Sequence, residues 1–160
     1  MYSEIFQKCI DVLFPLEGGY SDRPDDKGGK TKYGISQRAY PDLNIEALTK
    51  EMAMDIYYND YWVPMIIEDI PNQLLVLHLF IFGVNAGIRT SIRLLQRLIG
   101  VKDDGYIGAK TIKSIKNFDG DILQKFIEKE KEFYVLLVKK HPEQEVNLKG
   151  WINRVNRCHF

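Results

Sequence analysis

The sequence predicts a mainly α-helical domain with one irregular insertion. Three observations lead there. Apolar residues recur at helical spacing along most of the 160 positions. Glycine and proline crowd into a single stretch, positions 17–41. The composition, 45% apolar and 28% charged, is that of a globular chain long enough to bury a real core.

The elements follow in order. Ser3 can cap a first helix in which Ile5, Phe6, Cys9, Ile10, Leu13 and Phe14 share one face. Pro15 ends that helix or kinks its last turn. From Glu17 to Pro41 the chain is punctuated by Gly18, Gly19, Pro24, Gly28, Gly29, Gly34 and Pro41, which reads as a loop with room for a short hairpin. Helical signals resume at Thr49, a cap for Met52, Ala53, Ile56 and Tyr57. Pro71 suits the first turn of a helix through Leu74 to Val84. That segment is apolar almost all round and belongs in the centre of the molecule. Ile92, Leu95, Leu98 and Ile99 carry the pattern on until Gly100 stops it. After Asp103-Asp104-Gly105 come a short helix near Thr111 to Ile115 and a longer one from Asp121. The longer helix puts Phe126, Ile127, Phe133, Tyr134, Leu137 and Val138 on its inner face. Pro142 closes it, and a last amphipathic segment holds Trp151, Ile152 and Val155.

Charge and cysteine usage exclude several classes. Twenty-two basic and 22 acidic side chains leave a formal net charge of zero, against the basic excess of a nucleic-acid binder. The same balance argues against electrostatic capture by an anionic surface. Cys9 and Cys158, one near each end, read as two reduced, buried thiols, although a bridge between neighbouring termini stays open. Residues 1–5 lack the basic and apolar regions of a signal peptide. The most apolar run, Leu74 to Val84, is shorter than the roughly 20 residues of a bilayer span. The expectation is a protein made in the cytoplasm, without stable membrane insertion, that needs help to reach any substrate outside. His78 reads as a satisfied core histidine, and His141 and His159 have no companion at metal-ligand spacing. Neither a metal site nor a cofactor is indicated, and no Ser-His-Asp or Cys-His arrangement is legible.

The chemistry concentrates in the insertion, because function favours loops held by a rigid scaffold. Glu17 follows Leu13-Phe14-Pro15-Leu16, apolar surroundings that favour a protonated carboxyl and so suit a general acid. A solvated glutamate at a helix end has the same local sequence. Asp22, Asp25 and Asp26 offer a second carboxyl, as glycosidases require, and equally offer turn caps. Asp22 and Asp25, beside Pro24, suit the capping role better. Thr31 can hold a water by its hydroxyl.

Glu17-Gly18-Gly19-Tyr20-Ser21-Asp22, followed by Pro24-Asp25-Asp26-Lys27-Gly28-Gly29-Lys30-Thr31-Lys32-Tyr33-Gly34-Ile35-Ser36, resembles the signature of the EGGY-type muramidases, glycoside hydrolase family 108. The similarity continues through Leu48-Thr49, Tyr57 to Tyr61-Trp62, Val84-Asn85-Ala86-Gly87 and Leu95-Gln96. It then covers Asp104-Gly105-Tyr106-Ile107-Gly108 with Thr111, and Gly150-Trp151-Ile152-Asn153-Arg154-Val155, nearly the whole chain. The first motif is highly specific, whereas the Asp-Gly-x-Ile-Gly turn alone is a weak signal.

The resemblance implies a single lysozyme-like domain over 1–160, with a catalytic half at 1–88 and a peptidoglycan-binding-like half at 89–160. It implies hydrolysis of the β-1,4 bond between N-acetylmuramic acid and N-acetylglucosamine, phage or prophage endolysin use, and a holin-like permeabilising partner. The family's catalytic glutamate falls on Glu17. The order of acid, aspartate and threonine in phage lysozymes of the same superfamily carries Asp26 and Thr31 over. Tyr20, Tyr33, Tyr61 and Trp62 can stack on sugar rings or pack in the core. Asn85 can direct its amide at a sugar or cap its helix. One departure is Ile81, where the family usually has an aspartate four residues before the asparagine. It reads as tuning, since Glu17, Asp26 and Thr31 remain.

Two other functions compete with hydrolysis: a module that docks on cell wall without cutting, and a lytic transglycosylase for which Asp26 and Thr31 would be idle. A wall-turbidity assay and mass spectrometry of digested peptidoglycan separate the three. On the release expectation, the chain expressed alone in the cytoplasm leaves cells intact until the inner membrane is breached. Spontaneous lysis in a culture-density trace counts against it.

Overall fold

The computed structural model describes residues 2–22 and 29–160, and the chain divides into two compact units, Met1–Asp60 and Tyr61–Phe160. It is mainly helical, with one two-stranded antiparallel hairpin.

In the first unit, α1 spans Glu4–Glu17. The Phe6 N–H donates to the Ser3 hydroxyl at 3.4 Å, which satisfies one of the donors a helix start leaves open. Phe6, Cys9, Ile10, Leu13 and Phe14 form its buried face, as the spacing predicts. Pro15 does not end the helix; it sits inside the last turn, which runs on to Glu17. Gly18, at φ 78°, then donates its N–H to the Phe14 carbonyl at 3.1 Å and turns the chain away. The insertion contains β1 (Thr31–Lys32) and β2 (Ile35–Ser36), paired Thr31 with Ser36 and Lys32 with Ile35. Ser21 and Thr31 exchange backbone hydrogen bonds, both 2.8 Å, which adds a third short rung. Thr49 caps α2 (Lys50–Tyr57) through the Met52 N–H at 3.2 Å, again as predicted.

The second unit begins within a π-helical turn, Tyr58–Trp62, that leads into the short α3, Val63–Met65. Helix α4, Gln73–Ala86, is buried without interruption from Leu75 to Gly83, because its sequence offers no polar face to solvent. Pro71 falls outside α4. Asn72 is the cap instead, its side chain accepting the Leu75 N–H at 3.0 Å, which a proline side chain cannot do. Gly87, at φ 97°, separates α4 from α5 (Ile88–Leu98). Helices α6 (Ala109–Lys116), α7 (Ile122–Lys140) and α8 (Glu145–Asn156) complete the unit; α4, α5 and α7 pack on one another, and α8 packs on α7.

Its interior is aromatic and unusually well bonded. Phe82 meets Phe126, Phe133 and Tyr134 edge-on, and Tyr134 stacks on Trp151 at 5.0 Å. His78 is a core histidine with a partner: both it and Glu130 are 2% exposed, and Nδ1 lies 2.5 Å from the carboxylate. Burial pushes the Glu130 carboxyl up, and the His78 contact opposes that shift. Cys9 and Cys158 are buried thiols that do not bridge to each other, and burial pushes Cys158 up to about 12. Among the described residues no helix is long and apolar enough to cross a membrane.

The Asp-Gly turn after α5 is held by Gln96, a residue 1% exposed. Its two amide hydrogens are shared among Asp104 Oδ1 at 3.0 Å, the Tyr106 carbonyl at 2.9 Å and Thr111 Oγ1 at 3.3 Å. Its carbonyl accepts the Gly105 N–H at 2.9 Å. Replacing it with leucine strands buried polar groups, each costing about 1–3 kcal/mol. Gln96→Leu is therefore expected to lower stability by about 2–3 kcal/mol in urea denaturation. Exposed Gln124→Leu should stay within about 0.5 kcal/mol of the parent. Equal midpoints for the two variants would show that Gln96 does not hold the turn.

Candidate active site

Glu17 is the last residue of α1 and is half-buried. Two features of the sequence put it there. The apolar face of α1 anchors the helix up to Phe14, and the positive φ of Gly18 diverts the backbone immediately afterwards. The carboxyl therefore stands at the junction of a fixed helix and the insertion.

The tip of the hairpin meets it. The turn residues Tyr33 and Gly34 have φ of 53° and 80°, the left-handed pair that matches the twist of a two-residue hairpin. Glycine accepts that conformation freely, whereas for tyrosine it costs on the order of 1–2 kcal/mol. Two contacts offset the strain at Tyr33. Tyr57 Oη donates to the Tyr33 carbonyl at 2.8 Å, and the Tyr33 ring lies 5.2 Å from that of Phe14. Gly34 leaves no space for a side chain. A Cβ built on it would lie 2.5 Å from Tyr57 Oη, 2.6 Å from Glu17 Oε2 and 2.8 Å from Glu17 Cδ. Helix end, hairpin tip and the buried Tyr57 of α2 thus converge on one carboxyl, and Tyr57 braces the turn that touches it.

The other sequence-derived candidates are placed as follows. Thr31 is half-buried on β1, and its hydroxyl donates to the Gly29 carbonyl at 3.3 Å. Tyr20 is exposed, and its hydroxyl donates to Glu46 at 3.4 Å. Lys30 pairs with the same carboxylate, and Lys32 donates to the Glu46 carbonyl at 3.0 Å. Glu46 therefore ties the hairpin strand to the segment before α2. Asp22 is exposed; Asp25 and Asp26 lie outside the described residues.

Tyr61 and Asn85 belong to the second unit. Tyr61 lies in the π-helical turn, a geometry that recurs at functional sites. Asn85 does not cap α4, since the cap is Gly87. Its Nδ2 donates instead to Tyr134 Oη at 2.6 Å, and burial pushes that phenol up to about 12. Trp62 is 2% exposed and donates to Glu68 at 2.6 Å, so it is a core residue and not a sugar platform. Ile81 is likewise buried, in the apolar sleeve of α4. Among the described residues no group of His, Cys, Asp and Glu has the arrangement of a metal site.

Sequence reasoning missed the bracing role of Tyr57 and the central position of Tyr134. The one available signal for Tyr57 was its place in the longer motif pattern, since helical periodicity does not distinguish a packed phenol from one whose hydroxyl reaches a turn.

No curated protein matches the chain. Among solved structures it is similar to SagA of Brucella abortus, with 31% identity and a TM-score of 0.77 over 96% of this chain and 90% of that one. Residues 10–87 match the glycosyl hydrolase 108 profile, and residues 90–156 match one described as a predicted peptidoglycan domain. The Glu17 junction, the hairpin and Tyr57 all fall in the first match. The chain belongs to the glycosyl hydrolase 108 family, as a glycoside hydrolase of the muramidase class that acts on peptidoglycan.

Proposed function

We propose that this enzyme hydrolyses the β-1,4 bond between N-acetylmuramic acid and N-acetylglucosamine, with Glu17 as the general acid. The observation that carries this reading is the tight fit of Gly34, where a Cβ would lie 2.6 Å from Glu17 Oε2 and 2.5 Å from Tyr57 Oη. A general acid must present its proton to the glycosidic oxygen in a defined direction, and a carboxyl flanked by a rigid turn keeps one orientation. The end of α1 supplies the rigid side, and the exposed Gly18-Gly19 backbone leaves the other side open to a strand of sugars.

In the same proposal Asp26 is the second carboxyl, and Thr31 holds the attacking water. The hydroxyl hydrogen of Thr31 on Gly29 leaves its oxygen lone pairs for a water to donate into. Tyr20, Tyr33, Tyr61 and Asn85 are the residues proposed to contact glycan. Residues 1–88 form the catalytic half in this reading, and 89–160 the wall-binding half. Action on wall outside the membrane would depend on a permeabilising partner.

Two experiments test the assignment. Glu17→Gln keeps the size of the side chain but removes the transferable proton, so wall-clearing activity should fall by about 100- to 10,000-fold with the circular dichroism unchanged. Retention of a tenth of the parent activity excludes the role. Asp26→Asn should lose most activity while Asp22→Asn and Asp25→Asn lose little. Mass spectrometry of the digest should show reducing muramic acid ends; anhydro ends would make the reaction a transglycosylation.

Gly34→Ala probes the geometry around the acid. The added methyl displaces the carboxyl or the turn, and a misplacement of about 1 Å costs on the order of 100-fold in rate. Gly29→Ala is the control, because Gly29 also has a positive φ (69°) but its Cβ would meet nothing nearer than Gln37 Cβ at 3.7 Å. The expected result is a fall in kcat confined to Gly34→Ala. Equal losses in both variants would assign the effect to backbone strain.

A further inference from the structure

The second unit contains a cavity of about 720 Å³ along α6, a size typical of small-ligand sites. Its lining is mixed. Ile66, Ile107 and Ile112 are apolar, Lys113 and Lys116 are basic, and Asp69 is acidic. Among the described residues, none of these three charged groups forms an ion pair with another side chain. Lys113 and Lys116 are three apart on α6, so they share one face of the helix. Ile66 is also out of place for a purely structural residue. It has a left-handed φ of 53°, which β-branched side chains rarely adopt, and it is 58% exposed. Ile107 follows the turn that Gln96 holds, so one wall is fixed before any ligand arrives.

We propose that this cavity binds the acidic stem peptide of peptidoglycan, a deepening of the function proposed above that rests on that reading. Charge complementarity selects the occupant. The glycan strand offers hydroxyls and acetamido groups, which give paired lysines no anion to neutralise, and no aromatic platform lines the cavity. The stem peptide offers small alanine methyls for the isoleucine walls and at least two carboxylates for Lys113 and Lys116. Its diamino residue offers an ammonium for Asp69. Binding there would hold a wall strand by its peptide while the glycan stays free for cleavage.

The test is a titration of the isotope-labelled full chain with L-alanyl-γ-D-glutamyl-L-lysine, followed by amide NMR. Shifts are expected at Gly108, Ala109, Lys113 and Lys116, with affinity falling as salt rises. Exposed ion pairs are individually weak, so each lysine removed should cost up to about fivefold, and Lys113→Ala with Lys116→Ala about tenfold or more. Lys139→Ala with Lys140→Ala, at the end of α7, should bind as the parent does. The proposal is overturned by absence of binding, by shifts centred elsewhere, by equal binding in the double variant, or by equal binding of a neutral N-acetylglucosamine tetramer, which has the sugar backbone without a carboxylate. Because the readout is equilibrium binding, Glu17→Gln should bind the peptide normally. Failure here therefore leaves the acid assignment standing, and failure of the acid assignment leaves the binding result intact.

Discussion

The first unit is organised around the contact between the Gly34 backbone and the Glu17 carboxyl. The approach is possible only because residue 34 has no side chain and accepts a φ of 80°. Several otherwise separate features serve it. Phe14 anchors the end of α1 and receives the Tyr33 ring, Tyr57 takes the Tyr33 carbonyl, and Gly18 releases the chain directly after the acid. Strain at Tyr33 has the same logic, since backbone held in a sparsely populated region persists only where its surroundings over-determine it.

The second unit is built differently. Its centre is α4, an apolar rod, and several of the buried polar groups around it have partners. His78 has Glu130, Ser91 donates to the Leu79 carbonyl at 2.8 Å, and Gln96 satisfies the Asp-Gly turn. Unpaired polar groups at such depth would each cost a substantial part of a domain's net stability. Ile81 fits this environment directly, whereas an aspartate there would need a buried partner of its own. Tyr134 links the two kinds of packing, stacking on Trp151 while its hydroxyl accepts from Asn85.

What could be read from the sequence was whatever is encoded locally. Helical periodicity located the buried faces of α1 and α4, and side-chain caps at Ser3, Thr49 and Asp121 marked helix starts. The crowding of glycine and proline located the insertion, and Glu17 stood out as the carboxyl at its edge. Where local signals competed, the reading was less secure. Pro71 and Asn72 are adjacent helix-start signals, and the one with a side chain able to accept a backbone N–H became the cap. Of the two outcomes expected at Pro15, ending the helix is excluded, because α1 continues through the proline to Glu17.

The sequence by itself therefore determined the mainly helical class, the position of the insertion and the residue types available for chemistry. All three follow from backbone preferences and hydrophobic phase within a few residues. Only the tertiary structure decided which groups meet. The Tyr57 hydroxyl reaches a carbonyl 24 positions away, Asn85 bonds a phenol 49 away, and His78 finds its carboxylate 52 away. Such pairings depend on how whole elements pack and on the few tenths of an ångström left between them. Periodicity sets the face on which a side chain lies, but not the atom it will touch.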